Sequence, residues 1–257
     1  MLFFSTLVPE FRPPRPEERE PPPSRGTIRS GVALLDEWLG GLRAGRPHLL
    51  TGGPGTGKST IALHFVEAGL RRGESVAVLT NAQPADVKTL AEYLGIDLRK
   101  PLTDGRLLLF RYRSDFAYRA ARAVAPERVV EELQRTIAPH RPARIVIDSF
   151  APLVAGQPPV GPVVSALAEL LEESGACSVL TFPEDLSAGY DRNLEPIVQS
   201  AAALIRLTRE EGETRRAELL SIRYPSNGQP IARFAIRERA PVSDGRARAE
   251  RISQAVS

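Results

Sequence analysis

One short glycine-rich stretch constrains this chain more than any other: residues 52–60 read Gly-Gly-Pro-Gly-Thr-Gly-Lys-Ser-Thr. The spacing of Gly52 from Gly57-Lys58-Ser59 fits the phosphate-binding P-loop pattern. Glycines let backbone N–H groups come close to a polyphosphate, and the helix that follows offers its unpaired N–H groups and positive dipole end. The predicted nucleotide-binding set is Gly52, Gly53, Pro54, Gly55, Thr56, Gly57, Lys58, Ser59 and Thr60.

The residues on either side of this stretch provide the context that the motif requires. Residues 48–50 are short and apolar, as expected of a strand, and Ile61, Phe65 and Ala68 recur at helical spacing after the loop. In that context Lys58 is predicted to reach the β- and γ-phosphates of ATP, and the Ser59 hydroxyl to bind Mg²⁺. The alternative is a glycine-rich turn that binds nothing.

A second P-loop signature is expected at residues 144–149, Arg-Ile-Val-Ile-Asp-Ser. An apolar strand there delivers Asp148 at its carboxyl end, and ligands of open parallel sheets lie beyond those ends. Asp148 is therefore predicted to hold a water of the Mg²⁺ together with Ser59. Read alone, an Asp after a strand is commonly a turn residue or a helix cap.

Composition sets the class of protein and its compartment. With 257 residues, 42% apolar and 25% charged, the chain is long enough for one sizeable α/β core. The net charge of +3 is small for this length and does not by itself argue for nucleic acid. The single Cys177 excludes an intrachain disulfide and fits a reducing compartment, and one cysteine with three histidines leaves no His/Cys zinc site.

No apolar run reaches the roughly 20 residues that a membrane helix needs. Residues 1–8 are apolar, but they lack a basic region and run into Pro9, so a signal peptide is not expected. The predicted localisation is therefore the cytoplasm, without a membrane partner.

The chain divides into three predicted parts. Residues 1–25 combine an apolar peptide with a proline-rich linker, 26–237 form the globular domain, and 238–257 form a mobile polar tail. The apolar peptide is either a disordered start or a segment that docks on a neighbouring subunit, for instance by adding a strand to a sheet edge.

Within the domain, predicted strands alternate with predicted helices, which favours a parallel sheet with helices on its faces. After residue 202 the pattern changes to three strands separated by turn residues, which predicts antiparallel hairpin strands at the sheet edge. The predicted strands are 48–50, 75–80, 106–112, 143–147, 177–182, 203–208, 215–223 and 231–237, and the predicted helices follow Gly57 and cover 85–94, 126–138 and 163–173.

Residues 30–60 show a further pattern, in which a Ser-Gly-Val, Leu-Leu-Asp-Glu, Leu-Gly-Gly-Leu lead-in precedes the P-loop. This set resembles the KaiC/RadA branch of the RecA-like ATPases over residues 28–237. The resemblance implies an α/β RecA-like P-loop fold, a mostly parallel twisted sheet flanked by helices. It also implies that ATP binds at a subunit interface in a homo-oligomeric ring or filament.

The chain departs from this family at the residues expected to activate water. KaiC-like proteins carry a glutamate pair after the second strand, followed by proline and an acidic residue. Here Pro84 and Asp86 are kept, but Asn81, Ala82 and Gln83 occupy the place of the glutamates. Gln83 or Asn81 can hydrogen-bond a water but cannot accept its proton, so slow or absent hydrolysis is expected.

Two further positions are carried over from the resemblance. The family's late Lys-x-Arg pair, which contacts the nucleotide of the adjacent subunit, corresponds to Ser221-Ile222-Arg223, so only Arg223 survives. Arg223 is either that trans contact or a solvated strand residue. Thr181 ends a core strand where relatives carry Thr-x-Glu, and it is either a sensor of the γ-phosphate or an ordinary strand end.

Residues 111–122 interleave arginines with aromatic residues, a pattern that suits single-stranded nucleic acid but also an ordinary surface helix. The favoured function is a KaiC-like, ATP-binding regulatory or signalling module, with a possible protein partner. The alternative is a RadA-like recombination or repair ATPase that binds single-stranded DNA.

Overall fold

The computed structural model describes residues 4–6, 26–112, 127–150, 161–183, 194–211, 214–223 and 231–235. The predicted tail 238–257, the proline-rich residues 9–25 and most of the segment 111–122 lie outside these ranges. The strands are β1 Phe4–Thr6, β2 Thr27–Ile28, β3 Leu42–Arg43, β4 Pro47–Thr51, β5 Val76–Thr80, β6 Leu107–Tyr112, β7 Arg144–Asp148, β8 Cys177–Phe182, β9 Ala203–Arg209, β10 Thr214–Ile222 and β11 Ile231–Ala235.

Helices lie between these strands. They are α1 Ala33–Leu39, α2 Lys58–Arg71, α3 Pro84–Tyr93, α4 Arg99–Thr103, α5 Glu127–Ile137, α6 Gly161–Glu173 and α7 Glu195–Ser200, and a 3₁₀ turn covers Ala138–His140. No described helix has the length and apolarity needed to cross a bilayer.

The main sheet runs in the order β1-β6-β5-β7-β8-β4-β9-β10-β11. The six strands from β6 to β9 are parallel, and β10 and β11 continue the sheet as antiparallel strands. The predicted fold class is therefore confirmed: a mostly parallel sheet flanked by helices, with C-terminal antiparallel strands.

Each face of the sheet is covered by its own apolar cluster. One cluster combines side chains of α1 to α4 with one set of alternating strand residues, such as Val78 and Val146. The other combines α5, α6 and α7 with the intervening set, such as Leu79 and Ile147. Because the parallel strands are buried on both faces, they read as continuous apolar runs, which is what made them visible in the sequence.

The predicted helices and strands are found within a few residues of their expected bounds. The helices and strands that were not predicted are all short. Helices α4 and α7 have five and six residues, too few for a helical period to stand out. The two-residue strands β2 and β3 form a separate small sheet and were also not predicted.

The N-terminal peptide contributes strand β1, which pairs antiparallel with β6 of the same chain, Phe4 lying opposite Tyr112. The main sheet thus gains a strand at its outer edge, as one of the two hypotheses proposed, but the strand is added within one chain. An unpaired edge such as that of β6 offers a row of free backbone donors and acceptors, which explains why a short apolar segment binds there.

Candidate nucleotide-binding site

The glycine-rich loop leaves the sheet at the carboxyl end of β4 and leads directly into α2. Strand β4 lies between β8 and β9 and is parallel to both, so the loop emerges near the middle of the sheet. The N-cap of α2 is Gly57, and no side chain caps it. A capless helix end aimed out of a parallel sheet suits an anion, because its first N–H groups have no partner within the helix.

Gly52 is required by a close approach of two backbones. A Cβ built on Gly52 would lie 2.1 Å from the Leu207 carbonyl oxygen of β9, and the φ angle of Gly52 is +143°. By contrast, a Cβ built on Gly53 meets nothing within 4 Å. The glycine at the start of the loop therefore holds the loop against β9, while the next positions face open space.

Lys58 extends back into the hollow of the loop. Its Nζ donates hydrogen bonds to the carbonyl oxygens of Gly52 at 2.6 Å and Gly53 at 2.7 Å. Burial lowers the pKa of the Lys58 ammonium from its usual value, and the Asp148 carboxylate opposes that shift. A half-buried ammonium held inside a ring of backbone groups favours a polyanionic ligand.

Asp148 and Ser59 are brought to the same place, as the sequence predicted. Both line a cavity of about 120 Å³ between α2 and α3, with Thr80 at the end of β5. The Thr181 hydroxyl, fully buried, donates a hydrogen bond of 2.5 Å to the carboxylate of Asp148. This bond fixes the carboxylate in the orientation in which it meets the cavity.

The backbone after Asp148 is also anchored. The Phe150 N–H donates to the Thr181 carbonyl at 2.7 Å, and the Tyr112 hydroxyl donates to the Ser149 carbonyl. The Asp148-Ser149 peptide bond is cis. Burial raises the pKa of the Tyr112 phenol, which keeps it protonated and therefore a donor.

These residues fit ATP with Mg²⁺. Mg²⁺ is usually held by one or two protein oxygens, substrate phosphates and water, and Ser59 with Asp148 supply that number of protein oxygens. No group of three or more His, Cys, Asp or Glu side chains suited to a metal exists among the residues described. Bound there, Mg²⁺ would neutralise phosphate charge, while Lys58 and the loop N–H groups would hold the phosphates.

The residues proposed to activate water lie beside this cavity. Gln83 is exposed and precedes α3 as its N-cap, but its side chain makes no capping bond. The cavity wall includes Ala82 and Asp86, and neither Asn81 nor Gln83 belongs to it. A role for Asn81 or Gln83 in hydrolysis stays a prediction.

Arg223 lies near the amino ends of the parallel strands, at the end of the sheet opposite to the loop. It follows β10 where that strand passes the start of β9, and its guanidinium donates to the Gln199 carbonyl. It does not reach Lys58 of its own chain, so a contact with nucleotide would have to be made in an adjacent subunit. That role also stays a prediction.

Arg215 is a site residue that sequence reasoning missed. Arg215 is the second residue of β10 and pairs with Arg209, at the end of the sheet where the loop lies. Its Nε donates to the Gly55 carbonyl at 3.1 Å. The antiparallel register of β9 and β10 brings it there, and nothing local in the sequence specifies that register.

Comparisons with known proteins agree with this geometry. Residues 28–228 match the family model described as "ATPase: KaiC". A UPF0273 protein of Pyrococcus furiosus is 28% identical over 74% of this chain and 82% of its own length. A UPF0273 protein of Methanopyrus kandleri is 29% identical over 73% of this chain and 79% of its own length.

A third relative is a circadian clock oscillator protein KaiC of Parathermosynechococcus lividus. It is 26% identical over 72% of this chain, and the match covers 36% of its own length. The family model covers far more than half of the chain, and it includes the loop, Asp148 and Thr181. The chain therefore belongs to the KaiC family of ATPases, a branch of the RecA-type P-loop ATPases.

Proposed function

We infer that this protein is a nucleotide-dependent regulatory module that binds MgATP and hydrolyses it slowly. The observation that carries this proposal is that Ser59 and Asp148 line one cavity, beside the loop that Lys58 enters, in a chain that lacks the glutamate pair of its family. Lys58, Ser59 and Asp148 supply the groups that phosphate and Mg²⁺ binding require. The missing pair removes the groups that speed attack by water.

The site would act by binding rather than by rapid turnover. Lys58 and the loop N–H groups hold the triphosphate, and Ser59 and Asp148 hold the metal and its water. The Thr181 hydroxyl keeps the Asp148 carboxylate in the same orientation with and without nucleotide. A protein that retains ATP for long periods can report the nucleotide state to a partner through its surface.

We propose that MgATP binding controls the assembly of this protein into oligomers. KaiC-like ATPases often oligomerise, and the relative from Parathermosynechococcus lividus is named a clock oscillator, which is a regulatory role. Arg223 lies at the end of the sheet opposite to its own loop, so we propose that it contacts the nucleotide of an adjacent subunit.

The test is to measure mass by light scattering with and without MgATP, for the wild type and Lys58→Ala. The proposal expects a larger assembly in MgATP for the wild type only. An assembly state that is identical in both proteins under both conditions contradicts the regulatory proposal. No observation favours the DNA-binding alternative: of residues 111–122 only Arg111 and Tyr112 are described, and the Tyr112 hydroxyl is engaged with Ser149.

A further inference from the structure

The cavity lined by Ser59 and Asp148 contains one more acidic side chain, which neither the glycine-rich loop nor the strand that ends in Asp148 accounts for. Most of the residues that line the cavity are apolar, and they come from the facing helices α2 and α3, from strands β5 and β7, and from the loop before α3. The polar members are Ser59, Thr80, Asp148 and Asp86. Asp86 is the one carboxylate of this set that is assigned neither to metal binding nor to packing.

The fold explains why Asp86 faces this cavity. It lies in the first turn of α3, four residues before Leu90, so both side chains share one face of the helix. Leu90 and Val87 line the cavity opposite Ala62 and Val66 of α2. Ser59 lies one turn before Ala62 and Leu63, so Ser59 and Asp86 are the polar ends of two apolar helix faces.

The ends of two strands fix the depth at which these groups meet. α2 begins beyond the carboxyl end of β4 and α3 directly after β5, while Asp148 ends the parallel neighbour β7, where it lies opposite Thr80. The Ala82 N–H donates to the Thr80 hydroxyl at 3.1 Å, which ties the start of α3 to β5. Asp86 is thereby held at the sheet edge where the phosphates and Mg²⁺ are expected.

We propose that Asp86 is a catalytic residue of this site: it orients the attacking water and accepts its proton, in place of the absent glutamate pair. This inference rests on the proposed function, since it requires MgATP in the loop. Within the described residues no arginine or lysine forms an ion pair with Asp86, so its carboxylate is available to a water. A cavity of 120 Å³ has room for such a water.

The step balances without a further reactant. The water oxygen forms a bond to the γ-phosphorus, and the bond from the γ-phosphorus to the β,γ-bridging oxygen breaks, its electron pair leaving with ADP. The water proton passes to the Asp86 carboxylate and from there to solvent. Asp86 is exposed, and a single solvated carboxylate is a weak general base, which agrees with slow turnover.

The experiment is single-turnover hydrolysis of MgATP with the protein in excess, and ATP affinity is measured separately by equilibrium binding. The variants are Asp86→Asn and Glu92→Gln, the second making the same chemical change at the far, exposed end of the same helix. We expect Asp86→Asn to hydrolyse about 100-fold more slowly with its affinity for ATP within about threefold of wild type. Glu92→Gln should stay within about threefold of wild type in both measurements.

Several results would overturn the inference. One is an Asp86→Asn rate equal to that of Glu92→Gln, and another is an equal loss of ATP affinity and rate, which would mark Asp86 as structural. Wild-type protein that binds ATP but never cleaves it overturns the role of Asp86 and leaves the proposed binding function standing. Wild-type protein that does not bind ATP removes both.

Discussion

The Thr181 hydroxyl donates a hydrogen bond of 2.5 Å to the Asp148 carboxylate, from one central strand to its neighbour. The parallel pairing of β7 with β8 places Ile147 opposite Leu180, so the next residues of the two strands come together at the carboxyl edge. Thr181 is fully buried. Its hydroxyl therefore has few other partners, and the pairing of the two strands orients the Asp148 carboxylate.

Removing that hydroxyl should weaken metal-dependent binding. In Thr181→Val the volume of the side chain is kept, but the Asp148 carboxylate loses the donor on the neighbouring strand. Partners of this kind are typically worth 10–100-fold in metal affinity, so we expect the affinity for MgATP to fall by about that factor. The affinity for ATP in the presence of a chelator should not change.

Thr181→Ser is the matched control, because it keeps the hydroxyl and removes only a methyl group. It should bind MgATP within about threefold of wild type. Equal affinities of Thr181→Val and wild type for MgATP would mean that the Thr181–Asp148 bond does not serve the site.

Two alanine substitutions compare how much Gly52 and Gly53, at the start of the loop, contribute to stability. In Gly52→Ala the new Cβ meets the Leu207 carbonyl oxygen at 2.1 Å and the φ of +143° is retained, so the loop has to move. We expect the free energy of unfolding to fall by at least about 2 kcal/mol, because overpacking and an unfavourable φ each cost about 1–3 kcal/mol.

Gly53→Ala is the control in the same loop, since its Cβ would meet nothing within 4 Å. Its stability should stay within about 1 kcal/mol of wild type. Urea denaturation measures both. Equal stabilities of the two variants would contradict the close approach of Gly52 to β9.

The buried Arg144 provides a stability prediction away from the site. Its side chain is 0% exposed, donates to Glu74 at 2.5 Å and lies over the Phe65 ring of α2 at 4.6 Å. Glu74→Ala leaves this guanidinium buried without its carboxylate, so we expect a loss of about 3 kcal/mol in the free energy of unfolding.

Glu74 also pairs with Arg72, whose side chain is 58% exposed, and this second pair serves as the comparison. Arg72→Ala removes the exposed partner of the same glutamate and should cost less than about 1 kcal/mol. An equal loss of stability in both variants would mean that burial of Arg144 does not make its pairing with Glu74 more important than the exposed pair.

His48 makes the stability of the fold depend on pH. Burial lowers the pKa of the His48 ring to about 4, and the hydrogen bond between Nδ1 and the Ser178 carbonyl only partly opposes that shift. Nε2 accepts from the Arg43 N–H, which requires that nitrogen to be unprotonated. The neutral ring is the form that the fold accepts, so its contribution is fully present above about pH 6.5 and is lost as the pH falls toward 4. Between pH 7.5 and 5 the loss should be about 2 kcal/mol.

Chemical denaturation at a series of pH values checks this, with His48→Gln and His64→Gln compared. His48→Gln should lose most of the slope between pH 7.5 and 5, whereas His64→Gln should keep it. A slope that survives in His48→Gln would assign the pH dependence to other groups.

The sequence predicted the loop, Asp148 and the parallel sheet because each depends on local residues. A glycine pattern and a buried apolar run ending in an acid need no knowledge of distant partners. Arg215 and Asp86 could not be predicted in the same way. The first depends on the register of β9 with β10, and the second on how α3 docks against α2, which only tertiary packing decides.

At the N-terminus the sequence left two possibilities open. The apolar composition of residues 1–8 fitted a disordered start or a segment that docks on a neighbouring subunit, and composition cannot say which sheet edge such a segment would join. The pairing of Phe4 with Tyr112 in the same chain follows from the free edge of β6. Whether Asn81 or Gln83 takes part in hydrolysis could not be predicted from the sequence either, because it depends on which side chains reach the cavity.

Equilibrium titration of MgATP into the wild type and Lys58→Ala shows whether the loop around Lys58 binds MgATP. We expect saturable binding of one nucleotide per chain to the wild type. Lys58→Ala, which loses the ammonium inside the loop, should bind at least about tenfold more weakly. Equal binding by both proteins, or no binding by the wild type, would mean that the loop is not a MgATP site.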